Sequence, residues 1–270
     1  MKAFKTISLL TLSMFVLAIL SSFAIAQEKQ TARDIIEKTY DARKLDGSES
    51  VQTLTILNDK GQKRIRKMAA VTKLFENGKT EKKMSRFLSP ADVKGTVFLT
   101  YDYEKKDDDM WMFLPALRKT RRIVSSEKSK SFMGSEFSYS DMNIPILDDY
   151  KYTLLKEEKM GGVDCFVIQS LPANEDVADQ DGYSKKIAWI GKQDLIIRKS
   201  DYYDLDGEYL KTMTASGIKL IDPEKKRYRP MKLEMVNKQN GRKSLMNIEK
   251  LVLNREVKDD YFTTRYLERQ

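Results

Sequence analysis

Across most of the chain, apolar and polar residues alternate. Met231, Leu233 and Met235 fall on one side of an extended segment, and Lys232 and Glu234 fall on the other. Val97, Leu99 and Tyr101 share a side, as do Ile187 and Trp189. A period of two with one polar side predicts antiparallel strands that keep one face in water. Between these stretches lie Asn58-Asp59-Lys60-Gly61, Asn77-Gly78, Gly161-Gly162, Asp206-Gly207 and Asn240-Gly241. Such pairs accept the positive φ of tight hairpins at low cost. The pattern predicts a mainly β protein, one long antiparallel meander that curls into a barrel or packs on another layer. A single helix precedes it. Thr31 is its expected cap, Ile35, Ile36, Thr39 and Tyr40 share one side, and Leu45-Asp46-Gly47 is its expected end.

Two segments break the alternation. The first runs from about Ser125 to Asp149, just after Asp107-Asp108-Asp109-Met110-Trp111-Met112-Phe113-Leu114-Pro115-Ala116-Leu117-Arg118-Lys119-Thr120-Arg121-Arg122. There an acidic lip leads into an apolar run, a proline turn and a cluster of cations. Large apolar side chains then mix with small polar ones through Ser131–Met142, with neither a helical nor a strand period. This reads as the rim of an apolar cavity rather than a catalytic centre. The second segment, Leu171 to Gly182, is polar and acidic and is expected to be a loop. No linker divides the chain, so residues 27–270 are expected to form a single domain.

The first residues carry an address. Met1-Lys2-Ala3-Phe4-Lys5 is basic, Ile7 to Phe23 is apolar but interrupted by serine and threonine, and Ala24-Ile25-Ala26 fits a small-x-small cleavage site. Residues 1–26 are therefore expected to be a cleaved secretory signal peptide. A bacterial periplasm is the expected destination. The formal charge of the whole chain is +9. A basic exported protein suits anionic lipid headgroups. No recognition-helix or zinc-finger pattern points to nucleic acid.

Candidate chemistry is sparse. The chain has no histidine and one cysteine, which removes histidine triads, most zinc sites and thiolate clusters. Cys165 lies in a strand-like run without an adjacent cation and reads as a small buried residue. Ser125-Ser126-Glu127-Lys128 has the Ser-x-x-Lys spacing of serine acyl-enzymes but lacks its companion elements. Asp204-Leu205-Asp206-Gly207-Glu208 lacks the ligands of a full calcium loop. The acidic runs at Asp107–Asp109 and Asp148–Asp149 read as solvated turns. No enzyme, cofactor or metal is expected.

Three parts of the chain resemble one family. They are Trp111 to Met142; Ala188-Trp189-Ile190-Gly191-Lys192-Gln193-Asp194-Leu195 with Tyr202-Tyr203-Asp204 and Asp206-Gly207; and Tyr261-Phe262-Thr263-Thr264-Arg265-Tyr266-Leu267-Glu268-Arg269. Together they resemble the outer-membrane lipoprotein-sorting protein family of the LolA/LolB-like superfamily. The resemblance implies an unclosed antiparallel β-barrel, with helices and loops lidding an apolar cavity. It implies a periplasmic, non-enzymatic carrier of a lipid or lipoprotein acyl chain, serving outer-membrane sorting or a transporter of the resistance-nodulation-division type. The alternative is a protein-binding accessory or sensor subunit that carries no lipid.

Methionine and phenylalanine adapt to irregular apolar ligands. The cavity and lid residues expected on this reading are Val97, Leu99, Trp111, Phe113, Leu114, Phe132, Met133, Phe137, Tyr139, Met142 and Trp189. Arg118, Lys119, Arg121 and Arg122 are the expected contacts for a headgroup or a partner protein. A monomer is expected.

Overall fold

The computed structural model describes residues 30–269; the expected signal peptide lies outside the described residues. Helix α1 (Ala32–Ala42) comes first. Thr31 Oγ1 accepts the Asp34 N–H at 3.1 Å, and the Asp34 carboxylate accepts the Thr31 N–H at 2.9 Å. This reciprocal box satisfies two donors that a helix start leaves open. The helix stops earlier than the sequence pattern predicts, at Arg43. Gly47 instead opens the first strand, packed so tightly against Asn254 that a Cβ there would collide with its carbonyl oxygen.

Thirteen strands follow: β1 (Gly47–Leu57), β2 (Lys63–Phe75), β3 (Thr80–Ser89), β4 (Val97–Tyr103), β5 (Asp109–Leu114), β6 (Lys119–Ile123), β7 (Tyr150–Met160), β8 (Val163–Pro172), β9 (Lys185–Gly191), β10 (Ile197–Tyr203), β11 (Tyr209–Asp222), β12 (Arg227–Asn237) and β13 (Lys243–Leu253). They form one antiparallel sheet in the order β6-β5-β4-β3-β2-β1-β13-β12-β11-β10-β9-β8-β7. The sheet starts in its own middle, where β1 lies between β2 and β13. It runs outward to β6, restarts at the far edge with β7, and returns by hairpins. Strands β6 and β7 are unpaired edges, so the structure is an unclosed half-barrel. The mainly β, unclosed half-barrel that the resemblance implies is the fold observed, but the single long meander expected from the alternation is two runs joined by a crossover.

The chain passes from one edge to the other through residues 124–149. This crossover lies over the inner face of the sheet. Its Phe132, Phe137 and Tyr139 join Leu54, Met68, Phe87, Phe98, Met110, Met112, Met235 and Met246 in the largest apolar core. Helix α1 covers another part of the inner face, where Ile35 and Ile36 meet Ile168, Ala188 and Ile190. The opposite face of β3–β5 has its own cover: Val257, Phe262 and Leu267 from the C-terminal segment pack on Met84, Val97, Leu99 and Phe113. That segment ends in a short helix, α3 (Thr264–Glu268).

The stretch from Leu171 to Gly182, expected to be a loop, contains helix α2 (Glu175–Asp181). Asn174 accepts the Val177 N–H at 3.0 Å. Glu175 and Asp176 in the first turn suit the positive end of the helix dipole. Gly182 ends the helix at φ +77°, a conformation that side-chain-bearing residues adopt at a cost. Cys165 is fully buried, and burial pushes its thiol above the usual range.

Candidate functional site

A recess of about 330 Å³ lies between helix α1, the crossover and the inner face of β1 and β10–β13. Its apolar wall comes from Met213, Leu233, Met235, Met246, Ile248 and Leu251, with Phe137, Met142 and Ile144 of the crossover above them. Leu45 and Leu195–Ile197 complete the apolar lining. One end is polar. Ser48, Ser50 and Gln52 of β1, Thr72 of β2 and Glu81 of β3 face it, together with Arg43 and Arg229. Ser48 and Thr72 share a hydrogen bond of 2.8 Å, and Gln52 donates to Ser50 at 2.9 Å.

The strand period explains this grading. Side chains two apart share a face. The inner face of β1 therefore reads Ser48, Ser50, Gln52 and then Leu54, Ile56, polar at one end and apolar at the other. On β12 the same face runs from Arg229 to Leu233 and Met235. Antiparallel pairing sets Ser50 opposite Leu251 and Leu54 opposite Met246, which fixes both gradients in one direction.

Buried ion pairs hold the crossover over the recess. Lys211 of β11 bonds the Asp141 carboxylate at 2.8 Å and the Glu136 carbonyl at 2.7 Å. Both charged side chains are almost wholly covered, at 6% and 4% exposure. Burial would raise the Asp141 carboxyl, but Lys211 and Lys186 hold it below the usual range. The Glu136 carboxylate takes Asn237 at 2.9 Å and Arg242 at 3.0 Å, and its backbone N–H donates to Ser244 at 2.9 Å.

Further along, Asn143 donates to Asp108 at 2.6 Å, and the Ile144 N–H donates to Asp102 at 3.0 Å. Lys83 bridges Asp102 at 2.8 Å and Glu81 at 3.0 Å. Burial, reinforced by the charge of Asp102, pushes the Asp108 carboxyl up to about 7. Among the described residues, no group of three or more histidine, cysteine, aspartate or glutamate side chains is arranged to hold a metal. None of the helices there is long and apolar enough to cross a membrane.

The structure spreads the residues singled out from sequence over three places. Phe132, Phe137 and Tyr139 are buried on the inner face, with Leu114, Met133 and Met142 packed against the same core. Phe132 and Phe98 lie with ring centres 5.1 Å apart. Phe137 and Met142 also line the recess. Val97, Leu99, Trp111 and Phe113 lie on the opposite face, under the C-terminal cover. Trp189 is elsewhere again, with its indole N–H donating to Glu158 and the Lys199 ammonium 4.1 Å from its ring centre.

Among the four cations, Arg121 pairs with Glu127 at 2.8 Å and Arg122 pairs with Asp109. Arg118 sits at the β5–β6 turn with φ +46°. It shares a cleft with Phe113, Pro115, Lys119, Thr120 and Glu268. Arg43, Arg229 and the β1 polar series were not singled out from sequence. The usable signal was the change from Ser48-x-Ser50-x-Gln52 to Leu54-x-Ile56 along one face.

An open antiparallel half-barrel, with a helix and a crossover lying over its inner face, defines a class of lidded half-barrel proteins. A search of the curated proteins finds no match. A family model described as "Uncharacterized protein" matches residues 79–269. Among solved structures, a domain assigned to outer membrane lipoprotein sorting from Vibrio parahaemolyticus is 29% identical. That match covers 88% of this chain and 98% of that one, with a TM-score of 0.80. A DUF1329 family protein from Desulfovibrio piger is 28% identical over 87% of this chain and 97% of that one, also at 0.80. A LolA superfamily protein from Nitrosomonas europaea, 21% identical over 87% and 99%, shares the fold with a TM-score of 0.67. The chain belongs to the family that this model describes, and it has the fold of the lipoprotein-sorting domain and of the LolA superfamily protein.

Proposed function

We propose that this protein is a periplasmic carrier for the acyl chain of a lipid or lipoprotein, exported by cleavage of residues 1–26. The recess carries this reading: an apolar wall under a helix and a clamped crossover, at about 330 Å³. This volume lies at the lower end of small-molecule sites, which span roughly 300–1,000 Å³. Each methylene taken out of water contributes about 0.8 kcal/mol, so a chain binds without specific polar contacts. Phe137 and Met142 are the lid residues that face the ligand. The Vibrio neighbour's assignment to lipoprotein sorting supports the process, with a resistance-nodulation-division transporter as the inner-membrane partner of a monomeric, non-catalytic carrier. Arg118 and Lys119 lie in a separate cleft with Phe113 and Glu268 and are the cations proposed to meet a partner.

One observation favours a second reading. Phe132, Phe137 and Tyr139 already fill much of the inner face. On that reading the half-barrel offers a surface to a transporter or regulator and carries no lipid. Native mass spectrometry of protein purified from its own cell envelope separates the two. Carriage predicts a bound acyl species that disappears in Leu233→Glu, while the wild-type and variant folds give the same circular dichroism. Wild-type protein that is free of lipid on extraction refutes carriage and supports the second reading.

A further inference from the structure

Two guanidiniums line the polar end of the recess, while the two carboxylates of its lining, Glu81 and Asp141, are already paired with Lys83 and Lys211. Arg43 and Arg229 both line it, and neither makes a salt bridge among the described residues. The carboxylate lining the same end, Glu81, is engaged by Lys83 at 3.0 Å. Arg229 spends three hydrogen bonds on carbonyls: Ala42 at 3.0 Å, Tyr228 at 2.8 Å, and Arg43. A guanidinium has five N–H donors, so part of its fork is uncommitted. Burial, with Arg43 close by, draws its proton affinity down to about 10 despite the nearby Glu81. An anion arriving beside the two guanidiniums relieves that strain between like charges. A neutral headgroup does not.

The distance from this end to the apolar end is also set. Arg229 and Met235 are separated along β12 by a rise of about 20 Å at roughly 3.4 Å per residue. The wall between them turns from Arg229 through Leu233 to Met235 on one face, and through β13 Leu233 and Met235 fall level with Leu54 and Ile56 of β1.

Building on the carrier reading, we propose that the recess binds a single-chain amphiphile with an anionic head, a carboxylate or phosphate held between Arg43 and Arg229, and its tail along Leu233, Met235 and Met246. This narrows the ligand. Two lipid sources share the proposed chemistry, a free fatty acid and a lysophospholipid or alkyl phosphate.

Binding of three probes with one tail tests the proposal. Dodecanoate, dodecyl phosphate and dodecanol are titrated below their micelle concentrations into delipidated full-length protein by isothermal calorimetry. The expected result is at least tenfold tighter binding of one or both anions than of dodecanol. Tighter binding of dodecyl phosphate marks the phosphate source, and tighter binding of dodecanoate marks the fatty acid. In Arg43→Gln the preference for the anion over dodecanol falls at least tenfold. Arg229→Lys, which keeps the charge but not the fork, serves as a second variant if Arg229→Gln loosens helix α1. Dodecanol binding as tightly as both anions, or a preference unchanged in Arg43→Gln, overturns the anionic-head proposal while acyl carriage stands. Binding of none of the three overturns both.

Discussion

Asp108 shows what a buried carboxyl does to pH dependence. Its usual value is 3.8, and burial with Asp102 beside it raises it to about 7 in the fold. Between about pH 4 and pH 7 the folded chain holds a proton that the unfolded chain releases. Stability from this group is therefore complete below pH 4 and falls as pH rises to about 7. Asp108→Asn keeps an acceptor for Asn143 and removes the ionisation. The variant is expected to gain on wild type from pH 5 to pH 8, read as the difference in urea midpoints. An equal difference at both pH values refutes this account. The same reasoning separates Asp108 from Asp141. Asp141 is just as deeply set, yet the Lys211 and Lys186 ammonium groups hold it ionised. Neither behaviour was legible in the sequence. Asp107-Asp108-Asp109 looks like a solvated turn until Asn143 of the crossover is seen to close over its middle residue.

The elements divide by how local their signals are. Helix α1 was readable because its cap and apolar face lie within a dozen residues. Its cap has a testable cost: Thr31→Ala is expected to destabilise the fold by about 1 kcal/mol in urea denaturation. A loss below a few tenths would mean that the Asp34 half of the box suffices. The hairpin turns were readable for the same reason, and Gly207 and Gly241 take the positive φ that their pairs suggest. Helix α2 was missed because its seven residues are too few to show a period, and its cap and glycine stop are the only marks. The crossover announced itself only by lacking any period. A segment without a period carries no information about which side it buries, so sequence placed Phe132 and Trp111 together where the fold sets them on opposite faces. Arg43 and Arg229 meet only once the sheet order is known, which no local pattern records.

At the scale of the molecule, the sheet has two apolar faces and needs two covers. The crossover and α1 cover one, and Val257, Phe262 and Leu267 cover the other. Ending the chain after Leu253 leaves Val97, Leu99 and Phe113 in water, at roughly 1.5–3 kcal/mol for each large side chain uncovered. The truncated protein is expected to melt at a lower temperature and to bind an apolar dye such as ANS. Unchanged melting would mean that the outer cover contributes nothing. The placement of β1 beside β13 has a further consequence, in time rather than energy. Ser48 pairs with Leu253, so the central seam joins the first strand made to the last. Such distant pairings are slow to form. Until β13 arrives, β1 offers an open row of backbone donors and acceptors to any passing strand. A chain made N-terminus first must therefore keep that row guarded through nearly all of its synthesis. Lys63 and Arg64 on β2, beside Leu57 and Ile56, and Lys243, opposite Leu57, gather like charges at one end of the seam, where they oppose its closure by a second copy.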